Sequence, residues 1–185
     1  MTWHPSRTVR ITGPRAPMER LFWGMALIGA SLPGPAQVVP GGALPTGAAA
    51  AILRVHNSTR AAVGVPPLGW DDALAASALD CAQTLAASGR FSHCGPGENL
   101  WMGASGRFTP TAMADLWAEE RRFFQPGTFP NVSTTGRWQD VGHYTQMVWR
   151  TTTAVGCAAV AGTDGLTRLV CRYAPPGNME GRSVF

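Results

Sequence analysis

The sequence predicts an α+β fold in which helices pack in layers on a small antiparallel sheet. Three observations point there. Apolar residues recur at helical spacing in several separate segments up to about residue 124. Two runs rich in Val, Leu, Thr and Tyr then flank the turn signal Ala161-Gly162-Thr163-Asp164-Gly165, which reads as a hairpin. The chain has 185 residues, enough for one domain with a real core.

The elements follow in order. Residues 1–36 read as a leader, 37–47 as a Pro/Gly/Val-rich linker, and 48–185 as the single domain. A first helix spans about 48–63 and is ended by Gly64 and Pro66-Pro67. A second begins at Asp71 or Asp72, either of which can cap it, and stops at Gly89. Its apolar stripe is Leu74, Ala78, Cys81, Ala82 and Leu85. A third takes Thr109 as cap and Pro110 as its first residue, and runs to about Phe124. Residues 125–140 are loop, broken by Pro126, Gly127, Pro130 and Gly136, and a short helix over 143–149 leads into the hairpin. Trp70, Trp101, Trp117, Trp138 and Trp149 are expected mostly in the core.

The leader carries a positive stretch ending at Arg20, an apolar run from Leu21 to Leu32, and then Pro33-Gly34-Pro35-Ala36. This is the plan of a secretory signal peptide, with cleavage after Ala36 and Met18 as a candidate start. The apolar run is short for a membrane span, so membrane contact is expected to be peripheral at most and the protein secreted, or periplasmic in a Gram-negative bacterium. Four cysteines agree with an oxidising compartment. A hairpin centred on Asp164 sets Cys157 and Cys171 opposite each other, within disulfide reach. That leaves Cys81 with Cys94. No C-x-x-C spacing occurs, so a metal site built from these cysteines is disfavoured.

All fifteen basic residues are arginine. Four of them, against Glu19, give the leader a charge of +3, while the rest has eleven Arg against ten acidic residues. The body therefore lacks the basic patch that nucleic-acid binding requires.

The third helix holds an anomaly. Its apolar stripe is Met113, Leu116, Trp117 and Phe124, and Glu120 falls on that stripe while Glu119 faces water with Asp115. A carboxylate directed inward needs a partner or a metal. His93 and Glu98 sit in the short stretch Gly89–Trp101, read as a loop, and His143 opens the short helix. His93, Glu98, Glu120 and His143 are thus expected to converge.

At this point five ordered motifs carry a resemblance: HNSTR (56–60), GVPPLGWDD (64–72), FSHCGPGENL (91–100), GHYTQMVWRTT (142–152) and LVCRYAPPGN (169–178). The chain resembles the CAP superfamily of cysteine-rich secretory, antigen 5 and pathogenesis-related class 1 proteins, most of all the plant class 1 proteins, over about residues 50–182. The resemblance implies an α-β-α sandwich pinned by disulfides. It also implies a cleft lined by two histidines and two acids, which fall on His93, Glu98, Glu120 and His143. His56, Asn57 and Arg60 are implied to be packing and hydrogen-bonding residues.

Three chemistries compete for the tetrad. It can be a structural set of His–Glu pairs. It can be a site for Zn2+ or another divalent cation, held by His93 and His143. Or it can be a metal-dependent hydrolase with Glu98 or Glu120 as base; a metal-free hydrolase would call on Ser92 or Thr145. A monomeric, non-enzymatic binding module that can hold a cation is the expectation. The family also suggests a lipid or sterol groove, for which Trp101, Met102, Phe108, Phe123, Phe124 and Phe129 are the apolar supply. The plant pattern ends Pro-Tyr where this chain has Val184-Phe185, which weakens a peptide-releasing tail. Asn57 and Asn131 match the glycosylation acceptor pattern.

Overall fold

The computed structural model describes residues 44–185. The leader, its cleavage position and most of the 37–47 linker lie outside the described residues. The element order is α1 (Ala48–Ala61), β1 (Gly69–Trp70), α2 (Asp72–Ser88), β2 (Glu98–Ala104), α3 (Pro110–Glu119), α4 (Gly142–Met147), β3 (Ala154–Ala161) and β4 (Leu166–Ala174). The sheet order is β1-β3-β4-β2, with β1 parallel to β3 and the other pairings antiparallel.

Local chemistry sets the helix boundaries. Asp71 is extended and its Oδ1 accepts the Leu74 N–H at 2.8 Å, which starts α2, and Gly89 ends it in the left-handed region. Thr109 accepts the Ala112 N–H, with Pro110 behind it, and starts α3. That helix stops earlier than the sequence suggests. After Glu119 the chain tightens into a 3-10 turn over Glu120–Phe123, then bends back so that Phe124 bridges Ser133. The buried face of α3 is Pro110, Met113, Ala114 and Trp117. Leu116, expected on that face, is 40% exposed because Ala114 takes its place.

The sheet separates two cores by the period-two alternation of its side chains. Leu100, Ala158 and Val170 face α2 and meet Ala78, Cys81, Ala82 and Leu85. Val155, Cys157, Leu169, Cys171 and Tyr173 face the other way, against Ile52 of α1, Met113 and Trp117 of α3 and Met147 of α4. Each Val, Leu, Ile or Met among them contributes about 1.5–3 kcal/mol by leaving water, and each Ala less. This is an α-β-α sandwich. Gly156 has no side chain because the first turn of α2 lies on it: a Cβ there would collide with Ala75 N and Asp71 O.

Both disulfides are formed. Cys157 and Cys171 are directly paired across the hairpin, with Cα atoms 4.1 Å apart. Cys81–Cys94 ties α2 to the loop that carries His93. Trp138 departs from the expected core tryptophans: it is 40% exposed and covers Phe129 from outside.

The HNSTR segment anchors α1 through polar groups. Arg60 is fully buried and donates to the carbonyls of Pro66, Met147, Trp149 and Thr152. Asn57 donates to the Leu68 carbonyl and accepts the Leu68 N–H. His56 donates from Nδ1 to the Ile52 carbonyl, 2.9 Å away, and accepts the Tyr173 hydroxyl at Nε2, 2.7 Å away. Burial is the main reason its pKa falls to about 4, helped by the nearby Arg60 charge and partly opposed by the Ile52 bond.

Candidate functional site: two histidine–carboxylate pairs at the edge strand

The first pair joins the end of α3 to the start of α4. Glu120 Oε2 accepts the backbone N–H groups of His143 (3.0 Å) and Tyr144 (3.1 Å). Its Oε1 lies 2.6 Å from His143 Nδ1. An ionised carboxylate can only accept, so Nδ1 carries a proton, and in a neutral imidazole Nε2 would keep its lone pair. The Trp117 ring stacks on the imidazole at 5.8 Å and fixes its plane.

The second pair lies at the start of β2. Glu98 is the first residue of that strand, not part of a loop as the sequence suggests. Its carboxylate is fully enclosed, while the His93 side chain is 59% exposed, and the two are 3.5 Å apart through Nδ1. Glu98 also accepts from the N–H groups of Cys94 (2.8 Å) and Gly95 (3.3 Å), and its Oε1 pairs with Arg172 at 2.7 Å. Burial alone would raise its pKa. The His93 hydrogen bond, the two backbone donors and the Arg172 charge together outweigh burial and hold it below the usual carboxylate range.

The four residues form two pairs, not one compact cluster. Strand parity puts Glu98 with Leu100 on the α2 face. Asn99 points the opposite way, where its amide donates to the His143 carbonyl (3.0 Å) and the Tyr173 hydroxyl (3.1 Å). Consecutive residues of one edge strand therefore hold the two pairs, Glu98 gripping the loop of His93 and Asn99 gripping α4. Among the described residues, one set of three His, Cys, Asp or Glu donors lies within 4.8 Å: Cys81, Cys94 and Glu98. Two of these are locked in a disulfide, so the set is no metal site as it stands.

Sequence reasoning missed Arg172 and the gripping role of Asn99. The signal for Arg172 is register: it stands opposite Glu98 once β2 is paired with β4. Of the candidate hydroxyls, Thr145 is buried and donates to Asn178 Oδ1 at 2.7 Å, and Ser92 is exposed on the His93 loop.

Of the apolar supply expected for a groove, Trp101, Phe108, Phe123 and Phe124 are partly buried against the core, Phe129 is buried, Met102 is exposed, and Phe124 also lines a small surface pocket with Phe185. Trp101 and Phe108 meet edge to face, Phe124 contacts Tyr144 and Phe185, and Phe129 is buried against Trp138 and Trp149. A cavity of about 700 Å3 lies beside α1 and α3, lined in part by Thr59, Val63, Glu119, Arg122 and Tyr144. None of the six expected groove residues lines it.

Comparison with known proteins places this geometry. The Cysteine-rich secretory protein family (CAP) matches residues 53–173, and the chain belongs to that family. It is 40% identical over 135 residues to pathogenesis-related protein 1A of Nicotiana tabacum, covering 72% of this chain and 78% of that protein. It is 39% identical over 133 residues to a PR-1 type pathogenesis-related protein of Sambucus nigra, covering 70% and 77%. Among solved structures it is similar to Na-ASP-1 (TM-score 0.65, 26% identity, 85% of this chain and 46% of that one). It is also similar to NaASP2 solved with Zn2+ (TM-score 0.62, 24% identity, 79% and 88%). The two disulfides fit an extracellular protein.

Proposed function

We propose that this is a secreted, non-enzymatic binding protein whose cleft holds a divalent cation, Zn2+ being the best match to its donors, through His93 and His143. The observation that carries the reading is that each histidine engages a carboxylate through Nδ1, and neither Nε2 has a hydrogen-bond partner among the described residues. Metal-binding histidines are oriented in this way by an outer carboxylate, which fixes the tautomer and raises the basicity of the other nitrogen. The donor set suits two imidazoles completed by water or by a bound ligand, not a closed four-residue cage. NaASP2, whose fold this chain shares, has been solved with Zn2+.

The state of the glutamates speaks against hydrolysis. A general base must have a lone pair free for the attacking water. Glu120 already accepts three hydrogen bonds, two at Oε2 and one at Oε1, which leaves about one of its four acceptor sites, on the oxygen that holds His143. Glu98 is enclosed, engaged by Arg172 and two backbone donors, and made less basic by them. Both act as orienting groups.

The test is a calorimetric zinc titration of the chain lacking residues 1–36, beside a His93→Ala/His143→Ala double variant. Saturable micromolar binding that the double variant lacks is the expected result. Equal binding by both proteins, or none, would leave the pairs as structural ties and turn the search to lipid and sterol ligands.

A further inference from the structure

A second concavity carries a charge pattern that the cleft does not explain. Trp149, Arg150, Thr151, Met179, Arg182 and Ser183 line a cavity of about 450 Å3. Its walls are held by backbone. The Arg150 N–H donates to the Val184 carbonyl (2.9 Å), the Arg182 carbonyl accepts the Phe129 N–H (2.8 Å), and Ser183 bridges Thr128. Trp149 is 3% exposed and its carbonyl accepts from Arg60, so this side of the cavity is fixed.

Two arginines and no acidic residue line the cavity. Among the described residues neither Arg150 nor Arg182 has a carboxylate within ion-pair distance, a state they share with most exposed arginines; what sets them apart is that they line one concavity together. The larger cavity beside α1 differs: its Arg121 and Arg122 share the lining with Asp115 and Glu119. Two like charges in one concavity repel, and an anion between them relieves that repulsion. Guanidinium forks match the oxygens of a tetrahedral oxyanion, and the hydroxyls of Thr151 and Ser183 add neutral donors. Met179, which is exposed, and the nearly buried Trp149 are the apolar residues of the lining, and the volume exceeds what a bare ion fills.

We propose that this cavity is a binding site for a phosphate or sulfate monoester, with Arg150 and Arg182 clamping the oxyanion and the Trp149–Met179 wall carrying the attached carbon body. The site is independent of the metal cleft and stands or falls apart from it.

The experiment is a heteronuclear NMR titration of the 15N-labelled chain with glucose 6-phosphate, glucose 6-sulfate and plain glucose, following the Trp149 indole and the arginine Nε signals. Saturable shifts at Trp149, Arg150 and Arg182 with both esters and not with glucose are expected. Arg150→Ala and Arg182→Ala should each weaken binding about tenfold or more, and an Arg121→Ala/Arg122→Ala control should not change it. Both arginines are exposed, so the variants are expected to fold; Arg150→Lys and Arg182→Lys, which keep the charge, should bind more tightly than the alanine variants. A parallel sedimentation with phosphatidylcholine vesicles containing phosphatidic acid separates a lipid headgroup from a soluble ester as the source. Binding to vesicles alone, lost in the arginine variants, supports a headgroup. Binding to the soluble esters, lost in the same variants, supports a free ester. Absence of saturable binding to every probe, or binding that both arginine variants retain in full, overturns the proposal.

Discussion

Acidification from pH 7 to pH 4 should remove about 3 kcal/mol of stability through His56 alone. The folded protein keeps this imidazole neutral because it is sealed between Ile52 and Tyr173 and lies near the Arg60 charge. Its pKa is about 4 when folded, against an ordinary value of 6.5. Between these values the unfolded chain takes up a proton that the folded chain refuses, so stability falls as pH falls through 6.5 and levels off below the folded value. About 3 kcal/mol corresponds to a drop of roughly 10 °C in Tm for a domain of this size. The assay is urea denaturation followed by tryptophan fluorescence at several pH values from 7 to 4, with disulfides intact, for the native chain and His56→Gln. Glutamine keeps a donor and an acceptor but does not titrate, and the other ionisable groups largely cancel in the difference. The native chain should show a steeper loss, with the gap opening below pH 6.5. Parallel curves over that range would refute the reasoning.

Other outcomes follow from the same packing. Arg60→Ala leaves four carbonyls, three of them on buried residues, without their donor and should cost roughly 4 kcal/mol, read as a lower denaturation midpoint. Gly156→Ala pushes a methyl group into the backbone at the start of α2, with nothing flexible to yield, and should cost roughly 3 kcal/mol by the same measurement.

What was legible depended on whether one segment carried its own signal. Glu120 was found because a charged residue interrupted an apolar stripe, and the hairpin cysteines because a turn signal fixed the register around Asp164. The start and stop of α2 were legible because Asp71 and Gly89 act locally. β2 was hidden: its run Glu98–Ala104 contains no β-branched residue, and its strand character comes from pairing with β4. Arg172 was hidden with it, since only that pairing brings it to Glu98. The early end of α3 was missed for a related reason. Helical spacing continues past Glu119, but the chain there is drawn toward α4 and toward the bridge at Ser133.

A reductant would meet the two disulfides unequally. Cys157 and Cys171 are sealed inside the sandwich, whereas Cys94 is exposed on the surface loop. Thiol-rich surroundings would therefore open the bond to α2 first, while the hairpin stayed stitched. The loop of His93 would come loose from its helix, and Glu98 would keep only the grip of its own neighbours and Arg172. The protein would thus fail in a fixed order, losing the brace of its His93 loop while its fold still stood.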